Sequence, residues 1–381
     1  MRILYPAFIT FPNQKANAIH TAKNCEAFTR YGAEVELVVP STRRGSDLDP
    51  FEFYGLTERF KVTKIWSPAF FLRNPVGYSL STLLYSIRLF FFILRRRSSF
   101  DVIYNMELEP FGFLTLPFIR KPYFLEMHAP RPIYHLHYLF LFTRIAGLVV
   151  LNDAIKEKTE KRFPWLKGKV LVCPSALDLK DADLVSKETA RTTLRLPPSA
   201  VLGIYTGSFI TRKGLQTVLE AATSLPHISF YFVGGEKLTL GDVSISSNVT
   251  IIEKRPHHEM PYWRSAADFL IASGTNTDWY SKSYTSPMKL LEYMSSKRPI
   301  VVARTDAMAF IIREDEAIFY EPDNASSLVH AIEWITAHKD EAGARALRTY
   351  VHAEDYSWDA RAQKILAFIK NLIPQGRGTP S

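Results

Sequence analysis

The chain has 381 residues, 47% of them hydrophobic and 22% charged, which excludes a disordered or fibrous protein and is long enough for two cores. The net charge of +9 is one-sided: residues 1–175 hold 24 Lys+Arg against 14 Asp+Glu, while the remainder is close to neutral. Two cysteines, Cys25 and Cys173, make no disulfide framework and fit a reducing compartment.

The chain opens on a strand-like run, Arg2-Ile3-Leu4-Tyr5. That leaves no charged and apolar leader of the secretory kind, so a cytoplasmic location is expected. A helical stretch from about Ala18 to Tyr31 ends at Gly32, a C-cap glycine, and the strand Val35–Val39 follows. Further apolar runs at Val102–Tyr104, Tyr123–Leu125, Leu148–Leu151 and Val170–Val172 alternate with amphipathic segments. Strands separated by helices imply a parallel sheet covered on both faces.

Pro174 to Asp183 reads as a linker, after which the pattern restarts. Strands are expected at Ala200–Thr206, Ile228–Val233, Val249–Glu253, Phe269–Ala272 and Pro299–Ala303, with helices at Gly214–Ser224 and Pro287–Ser296. The expected fold class is therefore α/β, with two tandem doubly wound Rossmann-like units. The first covers 1–175 and the second 176–356.

Leu80, Leu83, Leu84, Ile87, Phe90, Phe91 and Leu94 recur at helical spacing and run into Arg95-Arg96-Arg97. Arg88 and several serines interrupt the run, which argues against a spanning helix. Two readings stay open: a core helix whose basic end complements its dipole, or a helix lying at a membrane interface, attracted to anionic lipid by the basic first half. No nucleic-acid-binding module is present, so nucleic acid is not an expected partner.

Three segments carry the chemistry. In Thr285-Ser286-Pro287-Met288-Lys289-Leu290-Leu291-Glu292, Ser286 reads as an N-cap and Pro287 as the first helical residue. The free amides there suit an anion, and Glu292 suits ribose hydroxyls. In Thr206-Gly207-Ser208-Phe209-Ile210-Thr211-Arg212-Lys213-Gly214, a strand gives way to a helix. Gly207 admits close backbone approach, and Lys213 puts a cation at a helix start that only an anion would reconcile with the dipole. In Leu125-Glu126-Met127-His128-Ala129-Pro130, His128 stands at the carboxyl end of a strand, where open α/β sheets bind ligands. His135 and His137 follow, but the spacing lacks an i, i+4 histidine pair and no metal site is expected.

Taken together, these segments resemble the retaining glycosyltransferases of family 4, glycosyl transferases group 1, with GT-B architecture. "YTSPMKLLEYMSSKRPIVV" is similar to that family's donor-binding element, and "YTGSFITRKGLQTVLEA" to its diphosphate loop. "YFLEMHAP" resembles the loop that brings a histidine to the transferring sugar. "YSWDARAQKIL" resembles the last helix, which would return to the first domain over about 357–373.

The resemblance implies transfer of a sugar from a nucleotide-diphosphate donor to a glycan or lipid-linked acceptor, across a cleft between the two domains, without metal or other cofactor. It assigns catalysis to His128, Lys213 and Arg212. Donor binding falls to Gly207, Ser208, Ser286, Pro287, Met288, Lys289 and Glu292, with the base held near Lys254, Arg255 and Pro256. Asn13, Asn17, Glu126 and Tyr284 are the expected acceptor or sugar contacts. The sequence departs from the family at Tyr284, where a glutamate is usual, at Ser208, where arginine is usual, and at Asn13–Ala18, where a glycine pair is usual. A catalytically degenerate nucleotide-sugar binder, or an epimerase of the same architecture, is the alternative.

Overall fold

The computed structural model describes residues 1–41, 48–67, 75–106, 115–130, 137–179, 185–210, 213–235 and 245–373. The chain divides into two compact units, Met1–Pro174 with Trp358–Ser381, and Ser175–Ser357.

The first unit contains β1 (Arg2–Pro6), β2 (Glu34–Ser41), β3 (Lys61–Trp66), β4 (Val102–Met106), β5 (Tyr123–Met127), β6 (Gly147–Val150) and β7 (Val170–Val172). They form one sheet in the order β3-β2-β1-β4-β5-β6-β7, every pair parallel. The second contains β8 (Val201–Thr206), β9 (Ile228–Val233), β10 (Val249–Ile252), β11 (Phe269–Ala272), β12 (Ile300–Ala303) and β13 (Ile318–Tyr320), parallel in the order β10-β9-β8-β11-β12-β13. Both orders reverse beside their first strand. This reversal opens a crevice at the carboxyl ends of the strands, which is where such sheets take ligands.

The central strands are continuous apolar runs because helices cover both faces. All residues of β4, β5 and β6 are buried. The sequence pattern missed β3 and β13. Lys61-Val62-Thr63-Lys64-Ile65-Trp66 is an edge strand whose charges face solvent, and β13 has only three residues.

The last helix, Trp358–Leu372, packs in the first unit beside the Ala16–Arg30 helix. Ala362, Ile365, Leu366 and Ile369 join the core that holds Ala18, Ala22 and Phe28. Arg361 lies on that same apolar face. Cys25 and Cys173 are both buried, unbridged thiols.

The helix Pro75–Arg95 turns Tyr85, Leu89 and Ile93 into the first unit, and the Tyr85 hydroxyl donates to the Val38 carbonyl at 2.9 Å. Ser81, Thr82 and Ser86 are also buried, while Leu80, Leu83, Ile87, Phe91 and Leu94 are 39–53% exposed. The buried face thus mixes small polar residues with Tyr85, Leu89 and Ile93, while an apolar stripe stays exposed beside Arg88. Val76–Arg95 is long and apolar enough to cross a bilayer, by length and composition only. Its buried face belongs to the unit's own packing.

Candidate functional site

The donor-side residues of the sequence analysis meet at the carboxyl end of β8. After Thr206 the chain turns at Gly207, whose φ of 126° is open only to glycine. Gly207 N–H donates to the Val233 carbonyl at 2.7 Å, so this loop lies against the end of β9. A side chain at Gly234 would strike the Gly207 backbone at 3.0 Å, and one at Gly214 would strike the Gly274 carbonyl. Three strand-end loops are therefore held close by glycines. Gly214, at φ 66°, starts the helix Leu215–Thr223.

Lys213 stands before that helix and its Nζ donates to Ser208 Oγ at 3.0 Å. Lys289 reaches the same loop from the helix Met288–Met294. Its Nζ lies 3.2 Å from the centre of the Tyr205 ring, and its Cε would be 3.1 Å from a side chain at Gly207. Burial pushes the Lys289 ammonium well below the ordinary lysine range; Lys213 pushes in the same direction and Glu292 opposes it. Two lysines thus converge on the Gly207 loop, at an electrostatic cost that an anion would relieve.

Tyr293, from the same helix, accepts the Thr206 N–H at 2.8 Å and locks the two motifs together. Glu292 lies 3.4 Å from Arg264, which is buried. The start of the helix differs from the expectation. It begins at Met288 with Pro287 as its flanking residue, and Ser286 makes no capping bond. Ser286 Oγ is buried and meets no partner among the described residues, so it faces inward instead of capping. Lys254, Arg255 and Pro256 form an exposed loop after β10. Tyr284 follows the short helix Trp279–Ser283, with its ring 5.4 Å from that of Trp279. Arg212 lies outside the described residues, as does His135.

In the first unit His128 sits just beyond β5, one-third exposed. Its Nε2 is 2.6 Å from Glu126 Oε1. Glu126 is a correction to the sequence analysis: expected to touch sugar, it is completely buried beneath the histidine. Residues 126 and 128 share a face, but Glu126 lies within β5, all of whose residues are buried, while His128 lies past the strand's end and reaches the rim.

The carboxylate is a hub. Arg361 Nη2 lies 2.6 Å from Oε1 and His20 Nε2 2.9 Å from it. The Tyr104 hydroxyl donates to Oε2 at 2.5 Å, and Asn24 Nδ2 is 3.4 Å away. Burial pushes this carboxyl up, but Arg361, His20 and His128 outweigh it and hold Glu126 well below the usual carboxylate range. Burial lowers His20, against the pull of Glu126.

His20, Tyr104 and Arg361 were missed. Arg361 had a signal, as an arginine on the apolar stripe of a helix demands a buried counter-charge. His20, Glu126 and His128 bring ligand atoms within 4.8 Å of one another, as a metal site would. Arg361 already supplies the positive charge there, so the set suits an orienting network better than a cation. An ionised Glu126 only accepts, so His128 donates from Nε2 and a neutral ring presents the Nδ1 lone pair.

Asn13 belongs to the loop after β1. Its Oδ1 accepts from Lys15 N–H at 2.6 Å, and Tyr54 bonds its backbone. Asn17, in the helix Ala16–Arg30, has a buried Oδ1 that meets no partner among the described residues.

The two sheets and their strand orders define the class as GT-B. Anabaena HepE, solved in complex with UDP and glucose, superimposes with a TM-score of 0.69 at 12% identity, covering 97% of this chain and all of that one. Residues 201–338, which lie within the second unit, match the family model Glycosyl transferases group 1. D-inositol 3-phosphate glycosyltransferase 1 of Catenulispora acidiphila is 24% identical over 216 residues, 51% of this chain and 50% of its own. The putative teichuronic acid biosynthesis glycosyltransferase TuaC of Bacillus subtilis is 24% identical over 221 residues, 55% and 54%. The chain spans about half the length of these curated relatives.

Proposed function

We propose that the protein is a retaining glycosyltransferase. It moves a sugar from a nucleotide-diphosphate donor to a glycan or lipid-linked acceptor at the cytoplasmic face of a membrane, in cell-surface polysaccharide or glycolipid synthesis. The observation that carries this reading is the pair Lys213 and Lys289 over the Gly207 loop. A diphosphate there would meet two ammonium groups and the backbone amides, and Glu292 would accept from the ribose.

In the transfer, the bond from the anomeric carbon to the diphosphate oxygen breaks and that oxygen gains negative charge. The lysines stabilise it more than they stabilise the intact donor, which lowers the barrier. The acceptor oxygen bonds to the same face of the sugar, and its proton passes to the departing diphosphate. No metal is required where lysines take this charge. In the first unit, His128 offers Nδ1 to a sugar hydroxyl. HepE was solved in complex with UDP and glucose, and TuaC is named as a putative glycosyltransferase of teichuronic acid biosynthesis; both support this reading of donor and pathway.

Isothermal titration with nucleoside diphosphates, beside a transfer assay, tests the reading. Lys213→Ala should lower turnover by roughly 10²-fold or more. Glu292→Gln should mainly weaken nucleotide binding, by roughly 10–100-fold. If both variants bind and turn over like the parent, the donor site lies elsewhere.

A further inference from the structure

The first unit has a second basic site, on the opposite edge of its sheet from His128. The turn before β5 and the turn before β6 come together at the amino ends of those strands. There Arg120, Lys121 and Arg144 line an open pocket of about 380 Å³, floored by Pro117, Tyr123 and Leu372. Arg120 and Arg144 are exposed. Lys121 Nζ gives one bond to the Phe100 carbonyl at 2.9 Å and Arg144 one to the Pro117 carbonyl at 3.4 Å, which leaves each with further donors. Among the described residues no carboxylate pairs with any of the three.

Apolar groups stand beside these charges. Phe118, two residues before Arg120, is 59% exposed and lies 5.3 Å from the ring of Phe140, itself exposed next to exposed Leu139. Arg97, just past the end of the Pro75–Arg95 helix, donates from Nη2 to the Arg120 carbonyl at 3.1 Å and brings a further cation close to the pocket. A cationic pocket flanked by exposed aromatic and aliphatic side chains has the chemistry that meets a lipid surface. The charges suit a phosphate and the aromatics suit the adjoining acyl boundary.

We propose that Arg120, Lys121 and Arg144 bind the phosphate headgroup of an anionic phospholipid. This rests on the reading of the first unit as membrane-facing, and not on the donor site. Soluble phosphates share the chemistry, so the test separates them.

The whole chain and its Arg120→Gln/Arg144→Gln variant are compared by co-sedimentation with vesicles of phosphatidylcholine alone or with phosphatidylglycerol. Both are also titrated with sn-glycerol 3-phosphate and inorganic phosphate. Both side chains are exposed, so an unchanged melting temperature is expected. The parent should prefer phosphatidylglycerol, and the variant should lose roughly 10–30-fold in affinity for it, as two cations near an anionic surface carry. An equal affinity of parent and variant would overturn the pocket while leaving the membrane reading standing. A parent that sediments with neither vesicle overturns both. A variant that loses soluble phosphate but keeps phosphatidylglycerol would make the pocket a small-phosphate site and overturn the lipid assignment.

Discussion

At the scale of single residues, the two candidate sites solve opposite electrostatic problems. Lys289 is held with another cation and without a full counter-charge, whereas Glu126 is held with more positive partners than it needs. Folding depresses the Lys289 pKa, so between that value and the ordinary lysine range the unfolded chain binds more protons and stability rises with pH. Below it the lysine is charged and opposes folding. Lys289→Met should therefore raise the melting temperature at neutral pH, by about 2–4 °C for a unit of this size, while nucleoside diphosphate binding measured by titration falls sharply. A variant that is neither more stable nor weaker in binding would refute the paired-lysine argument. Glu126 gives a slope of the same sign for the opposite reason, since folding favours its charged form. Its folded pKa is depressed, so its contribution is complete above the ordinary carboxylate range and is lost as pH falls toward the folded value. Glu126→Gln should cost about 3–5 kcal/mol, since it leaves Arg361 buried without a partner. It should also flatten the fall in stability below about pH 5, where an unperturbed carboxylate begins to protonate. Denaturant melts at pH 7 and pH 4 would show both effects, and adding Arg361→Met should restore part of the loss. Of these residues, Lys213 and His128 stand in short motifs past a strand end and Lys289 in a short motif at a helix start, so each could be picked out locally. His20 and Tyr104 were not, because they reach Glu126 from elements far away in sequence, and no local pattern records such a convergence.

At the scale of elements, the helix Pro75–Arg95 shows how far periodicity reaches. Its helical spacing was plain, but spacing alone does not say which face turns inward. Ser81, Ser86 and Tyr85 go in; Ile87 and Phe91 stay out. Arg88 lies 4.3 Å from the ring of half-exposed Trp66 and adds another amphipathic pair to that side. The three terminal arginines are not equivalent either. Arg96 pairs with Glu36, and Arg97 bonds the Arg120 carbonyl, so replacing all three would disturb packing as well as charge. The cleaner test of interfacial binding is Ile87→Ser with Phe91→Ser, since both are already about half exposed. If the stripe enters a membrane, the pair should lose about 2 kcal/mol of apolar transfer, roughly 30-fold in vesicle affinity, at unchanged thermal stability. Flotation with phosphatidylcholine/phosphatidylglycerol vesicles measures it, and parental flotation would leave the stripe an exposed face with no membrane role. The segment Ser286–Met294 shows the same boundary of legibility. Sequence placed Ser286 and Pro287 at the right loop but in the wrong roles, because a capping side chain and an inward-facing one have the same local sequence.

At the scale of the molecule, the restart of alternating strands after Pro174 made two sheets readable, since buried parallel strands are long apolar runs wherever they occur. Composition could not show that the chain comes back to its first unit at Trp358; only the likeness of the final helix to a known one implied it. The structure gives the physical reason for that return. Arg361 donates to the Cys173 and Pro174 carbonyls and neutralises Glu126, while Ile365, Leu366 and Ile369 fill the core beside the Ala16–Arg30 helix. The second unit, by contrast, closes on itself. Leu177 N–H bonds the Tyr356 carbonyl at 2.9 Å and Leu177 bridges to Ser357, so its two ends meet, and it has its own cores on both sides of its sheet. A fragment of residues 175–357 should therefore fold cooperatively and bind nucleoside diphosphates within about tenfold of the whole chain, without transferring sugar. A chain ending at Ser357 should behave differently. It strands Glu126 without Arg361 and opens the first core, so the first unit should melt well below the second and calorimetry should resolve two transitions. A single transition at the parental temperature for that truncation would show that the last helix is dispensable, and that Glu126 is neutralised by some other group.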